Sequence, residues 1–420
     1  MKKLLTFTAI AIISSISSTN AAPITLEVSF SSGAYKANFE EVARQFETKH
    51  ADIKIEYQNP IVNSYDELIQ KTFRDQIVGN LADVSFQGNL NLTLLAEQGL
   101  SVPLDPMIQA ESDWEGQGYT PAIASVGEVK GKSYALAYAT SVPIVFFNLD
   151  LVRRAGGDIG NLPEDWPGII ALAKKIQALG DGVVGGYFDY QSTGNWTFQA
   201  LITGQGGRMM EDDDRPLAFK GSEGMKALEV LKTFGEETGM VDLSQNQAIQ
   251  AFSAGTIGIL ASFSAATGRI EKAAAGKFEV RTGAWPVSAK NGAVPAGGRA
   301  VVMFTRDPER QKAAWEFIKF VTGPIGQTIL VKAVGAVPNN QIAIREPNLL
   351  GTYYEKHPNQ RAALKLVPKL TRWYAFPGQN QIKITEVIKD HLRTVLIDHK
   401  APQVVMDAMV ADVRALLPKN

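Results

Sequence analysis

From Ile24 to Phe30 the chain alternates, with Ile24, Leu26, Val28 and Phe30 on one side and Thr25, Glu27 and Ser29 on the other. That period of two predicts a strand with one buried face. Beyond Gly33, Phe39, Val42, Ala43 and Phe46 recur at helical spacing, opposite Glu40, Glu41, Arg44 and Glu47. Ile53, Ile55 and Tyr57 alternate again. Tyr65, Leu68, Ile69, Thr72 and Phe73 form a second helical stripe, and a short strand is expected around 82–86. Strand, helix, strand, helix, strand reads as right-handed crossovers in a largely parallel sheet, an α/β unit. Ligands of such sheets sit beyond the carboxyl ends of the strands. The loops Ser31 to Tyr35, Pro60 to Tyr65 and Gln87 to Asn91 are therefore candidate ligand loops.

A second unit follows. Ala135 to Asn148 is a long extended stretch broken at Ser141 and Pro143, as suits a segment crossing between two units. Helical patterns come next at Trp166 to Ile176 and Met225 to Phe234. Ile249 and Phe252 then precede a small-residue strand from Gly255 to Ser262. Gly283 to Pro286 and Gly292 to Gly298 read as a crossing back. Ala313, Ala314, Phe317, Ile318 and Val321 make an amphipathic helix ended by Gly323-Pro324, and helices Ile384 to Leu396 and Val404 to Leu417 close the chain. At 420 residues the chain exceeds what one core usually organises, which agrees with two units.

Residues 1–21 read differently. Lys2 and Lys3 precede an apolar run from Leu4 to Ile16, too short to span a bilayer, and small residues follow at Thr19 and Ala21. This is the pattern of a secretory signal peptide cut after Ala21. There is no cysteine, so lipid anchoring through a lipobox, thiolate metal sites, disulfides and a cysteine nucleophile are all excluded. With 42 basic and 43 acidic side chains, no bulk field favours nucleic acid.

Candidate chemistry is sparse. Gly127 to Ser133 echoes a phosphate loop, but that spacing requires glycine where Val126 stands, so a polar hairpin turn is expected. His50, His357, His391 and His399 form no close pair on one helix face, and structural roles are expected for them. No Gly-x-Ser-x-Gly elbow occurs, and Glu211 to Asp214 lacks the alternation of a calcium loop, so neither metal nor cofactor is expected. The aromatics say more. Trp196 follows a polar Ser192 to Asn195 stretch, and Trp373, Tyr374 and Phe376 adjoin Pro377 to Asn380. Rings held on loops beside amides suit the C–H face and hydroxyls of a sugar or polyol.

The order of several motifs resembles a known family. Phe30-Ser31-Ser32-Gly33 ends the first strand, and Gly131 to Leu136 leads into Thr140-Ser141-Val142-Pro143-Ile144-Val145-Phe146-Phe147-Asn148. Ala251 to Gly258 is followed by Trp285-Pro286 and Gly297-Gly298. Lys312 to Phe320 precedes Val334-Gly335-Ala336-Val337-Pro338. Together these resemble family 1 extracellular solute-binding proteins of bacterial ABC importers, the group of maltose and glycerol-3-phosphate binders.

The resemblance implies a periplasmic-binding-protein fold of two α/β lobes, each a mostly parallel sheet flanked by helices, joined by hinge strands. The first lobe is expected at 22–139 plus 287–323 and the second at 140–286 plus 324–420. It further implies a periplasmic monomer that closes on a small-molecule solute and passes it to permease subunits of the inner membrane, with no catalysis. Carried over residue by residue, the ligand-facing positions are Tyr65, Ser141, Trp196, Ser262 or Ser264, Gly297 and Gly298, and Lys383 in place of a late arginine. Asn89, in a polar Gln87-Gly88-Asn89 stretch where the glycerol-3-phosphate binder has glutamate, and Trp373 complete the candidate set. Ala336 stands where that binder has tyrosine. Two other classes stay open on sequence: a secreted carbohydrate-active hydrolase using two of Asp66, Glu128 and Asp189, and a solute sensor for a chemoreceptor.

Overall fold

The structure, a computed structural model, describes residues 22–418 except 32, 60, 63, 192–194 and 212–215. The expected signal peptide and most of the acidic run 211–214 lie outside the described residues. Strand β1 (Ile24–Phe30) buries Leu26, Val28 and Phe30 as the alternation requires. Ser29, expected on the wet side, is buried too, because its hydroxyl donates to Ser85 Oγ at 2.7 Å beneath a covering helix. Helix α1 (Lys36–Lys49) buries Phe39, Val42, Ala43 and Phe46. β2 (Ile53–Tyr57) and β3 (Val84–Gly88) flank β1, both parallel to it, and α2 (Tyr65–Val78) links them.

The Gly127 to Ser133 segment is the expected hairpin. β4 (Glu128–Val129) and β5 (Lys132–Ser133) pair antiparallel about Lys130 and Gly131, whose φ angles are 50° and 74°. Two positive φ values in a two-residue loop match the twist of the flanking strands.

The long apolar stretch divides in two. β6 (Ala135–Ser141) belongs to the first sheet, and β7 (Pro143–Asn148) belongs to a second with β8 (Val184–Phe188), β9 (Ile257–Phe263) and β10 (Val280–Ala284). The chain thus changes lobe across Val142 alone, and it returns between β10 and β11 (Val294–Met303). β11 joins β3 and β6, and β12 (Leu370–Arg372) pairs with its first residues, completing a six-stranded sheet.

The two-lobe α/β architecture is therefore present, with less parallel pairing than the pattern suggested. β11 runs antiparallel to both its long neighbours, and in the four-stranded sheet only β8 and β9 are parallel. The strands that enter from the opposite lobe are the ones that reverse direction.

The chain after Pro324 also differs from expectation. Gly323-Pro324 does end helix Pro308–Thr322, but the next helix, Pro324–Val334, bends by only 52° and packs on α1. Gln327 Nε2 donates to the Tyr138 carbonyl at 3.0 Å, holding this helix to the six-stranded side rather than the second lobe. The segment reaches the four-stranded sheet only near Asn359, which accepts from Thr282 N at 3.1 Å. Helices Gln381–Leu396 and Pro402–Leu416 then pack on helix Ser222–Thr238.

Candidate functional site

Where the crossing strands meet the ends of β1, β3 and β9, a cavity of about 230 Å³ opens between the lobes. Tyr35, Tyr65, Ala139, Thr140, Gly297, Gly298 and Ala336 line it on the six-stranded side. Trp196, Gln245, Phe263, Ala265 and Trp373 line the rest, with Ser141 at the crossing. None of these side chains carries a formal charge. A larger groove of about 1160 Å³ runs over the second lobe between Gly156 and Lys365, but no expected ligand loop borders it.

Local structure explains each position. Ser64 caps α2, accepting from Glu67 N at 3.1 Å, and this sets Tyr65 on the first helical residue with its ring over the cleft. Helix Gln245–Ala254 starts with a capping box between Ser244 and Gln247, which puts Gln245 at the cavity wall. Trp196 opens helix Trp196–Gly204, is buried, and donates its Nε1–H to the Pro295 carbonyl at 3.0 Å. The paired glycines accommodate it. A Cβ on Gly297 would lie 3.1 Å from Trp196 Cζ2, and Gly298 has φ +102° with the Ala139 carbonyl 1.9 Å from any Cβ there. The Trp373 ring sits 6.2 Å from that of Trp196, centroid to centroid.

Of the ten positions named from sequence, Tyr65, Ser141, Trp196, Gly297, Gly298 and Trp373 come together around the cavity. The other four do not line it. Asn89 is buried behind β11, where its Nδ2 donates to the Ala296 carbonyl at 2.9 Å. Ser262 faces inward and donates to Asp189 Oδ2 at 3.0 Å. Ser264 accepts from Val142 N at 3.0 Å and lies 3.4 Å from Ser141 Oγ, so it fastens the crossing itself. Lys383 is exposed on the helix Gln381–Leu396, whose inward positions include Gln381, Ile384 and Ile388. Gln381, not Lys383, reaches the first lobe, donating to the Leu90 carbonyl at 3.1 Å. Gln87 likewise points under α2, bonded to Thr72 and Ser85.

Tyr35, Gln245 and Phe263 were not singled out from sequence as ligand-facing. Tyr35 closes the predicted first ligand loop, and Phe263 continues the small-residue strand by one residue, so both were one step from the signals used. Burial pushes the Tyr35 hydroxyl above its ordinary value, offset in part by Arg299, and the group stays a neutral donor. Asp66, Glu128 and Asp189, the carboxylates a hydrolase would need, do not line the cavity. Asp189 is buried and accepts from Gln245 Nε2 at 2.8 Å.

Two α/β lobes joined by crossing strands, with an uncharged aromatic cavity between them, define the class of cleft-binding proteins that close on a solute. Residues 41–358 match the bacterial extracellular solute-binding protein family, and the chain belongs to that family. It is similar over 429 aligned residues, at 23% identity, to a putative binding protein of Brucella abortus, covering 98% of this chain and 97% of that one. Among solved structures it superposes with a TM-score of 0.80 on the cyclic alpha-maltosyl-1,6-maltose binding protein of Arthrobacter globiformis, at 19% identity and covering 94% and 99% of the two chains. UgpB of Mycobacterium tuberculosis, solved with glycerophosphocholine, gives 0.77 at 19% identity, covering 94% and 98%.

Proposed function

We propose that this protein is the periplasmic solute-binding component of an ABC importer. It takes one small polyhydroxylated solute into the cleft, closes, and presents the loaded form to the membrane permease. The observation that carries this reading is the cavity wall, which brings five aromatic residues, Tyr35, Tyr65, Trp196, Phe263 and Trp373, together with the polar residues Ser141 and Gln245. Rings cover the C–H faces of a sugar or polyol while the polar groups bind its hydroxyls. At about 230 Å³ the space falls below the range of drug-sized pockets and suits a monosaccharide, a polyol or a glycerol-phosphate-type solute.

The solute contacts both lobes only when they are closed, so binding shifts the population toward closure. A micromolar affinity corresponds to about −8 kcal/mol, within reach of a few hydrogen bonds and one or two stacked rings after the ordering costs. The protein performs no chemistry on its cargo. It reaches the periplasm by a leader ending at Ala21, carries no lipid, and acts as a monomer. The test is titration with sugars, polyols and organophosphates while following tryptophan fluorescence. Binding of at least one with a spectral change is expected, and silence across all three classes would contradict the proposal.

A further inference from the structure

Arg299 is 3% exposed, in a strand whose neighbours Ala300, Val301, Val302 and Met303 are all apolar and buried. Its guanidinium carbon lies 4.0 Å from the centroid of the Tyr35 ring and 5.2 Å from that of Tyr65, the two tyrosines on the six-stranded wall of the cleft. Nη1 donates to the Ser31 carbonyl at 3.0 Å, and Nε is buried without a partner. Among the described residues no carboxylate oxygen lies within 4.0 Å of it. A buried cation answered only by ring faces and one carbonyl is costly unless an anion shares its surroundings.

The charges on the opposite wall do not supply that anion. Asp189, one hydrogen bond behind Gln245, is already held by Gln245 and Ser262 and lies in the field of Arg269. Arg269 itself lies over Phe263, 5.5 Å from that ring's centroid. Two arginines thus lie against the cavity's rings, and the aspartate behind Gln245 already accepts two hydrogen bonds.

We infer that Arg299 sets the charge specificity of the cleft, which selects a polyhydroxylated solute bearing an oxyanion, carboxylate or phosphate, over its neutral counterpart. This rests on the solute-binding reading above and narrows it. Because the guanidinium lies behind Tyr35 and Tyr65, it acts through space and by polarising their hydroxyls as donors, so it is a positioning and field residue rather than a direct ligand.

The test is calorimetric titration of the intact mature protein with matched pairs: galactose and galacturonate, glucose and glucose 6-phosphate, glycerol and glycerol 3-phosphate. The carboxylate and phosphate arms tell the two oxyanions apart. The charged member of a pair is expected to bind at least about tenfold tighter, with an advantage that shrinks as salt rises. Arg299→Gln should remove that advantage, lowering charged-solute affinity more than neutral-solute affinity, and Arg299→Lys should keep part of it. Should Arg299→Gln fail to fold, the salt dependence of the unaltered protein and Tyr35→Phe, which removes one polarised donor, read the same effect. Neutral members binding as tightly as charged ones, or a neutral solute found by native mass spectrometry to co-purify, would overturn the inference and leave solute binding standing. Binding of no member, with no co-purified solute, would contradict both.

Discussion

Trp196 donates its indole N–H to the Pro295 carbonyl at 3.0 Å, tying a ring carried by the second lobe to a strand of the first. The ring rests against Gly297, where no side chain stands in its way, and forms the floor of the cleft beside the two crossing points. A ring that lines the cleft is thus hydrogen-bonded from one lobe to the other.

Replacing Trp196 by phenylalanine keeps a ring but deletes that hydrogen bond. We expect a loss of about 1 kcal/mol in denaturant unfolding and a solute affinity lowered by up to about tenfold. Unchanged affinity would show that Trp196 is a packing residue only.

The adjacent glycines should respond unequally. Gly297→Ala crowds the Trp196 ring and is expected to cost about 1–2 kcal/mol, seen chiefly in solute affinity. Gly298→Ala meets the Ala139 carbonyl in a left-handed backbone, so its loss, above about 2 kcal/mol, should appear in unfolding of the empty protein.

Ser264 accepts the Val142 N–H at the narrowest crossing between lobes. Ser264→Ala leaves that buried donor unpaired, which costs about 1–3 kcal/mol. Hydrogen exchange of the Val142 amide should accelerate, while exchange in β1 and β8 should not.

Among the described residues no carboxylate, imidazole, amine or guanidinium lines the cavity, and burial moves the Tyr35 hydroxyl upward. Affinity should therefore stay flat from about pH 6 to about pH 9, apart from any ionisation of the solute itself. Stability behaves otherwise at acid pH. Burial pushes Glu111 up, but hydrogen bonds from Lys319, Trp315 and Gln117 outweigh it and hold the carboxyl below its ordinary value. A depressed acid stabilises the fold above its unfolded pKa, about 4.3, and that contribution fades as pH falls through the lower folded value. Glu111→Gln should lower the midpoint of thermal unfolding at neutral pH, with a difference that narrows at acid pH.

Much of the architecture was readable along the chain because each long element carries one dry face. α1, helix Trp166–Gln177 and helix Pro308–Thr322 bury the positions that periodicity names, and β1 does so except at its first residue, Ile24, which is half-buried. The direction of a single side chain was less readable. Lys383 sits one position from Ile384, and a helix turns about 100° per residue, so the lysine faces water while its neighbour is buried. Ser262 and Ser264 share a strand end, yet one is spent on Asp189 and the other on Val142. Those bonds join residues far apart in the chain, and no local pattern encodes them. Arg299 had a local signal that went unused: a lone charge following paired glycines inside an apolar strand.

The central claim is that two lobes close on a solute, and small-angle X-ray scattering of the mature protein with and without a bound sugar, polyol or organophosphate tests it most directly. The account predicts a smaller radius of gyration on saturation, reversed when the solute is dialysed away. Identical scattering profiles at full occupancy would contradict it.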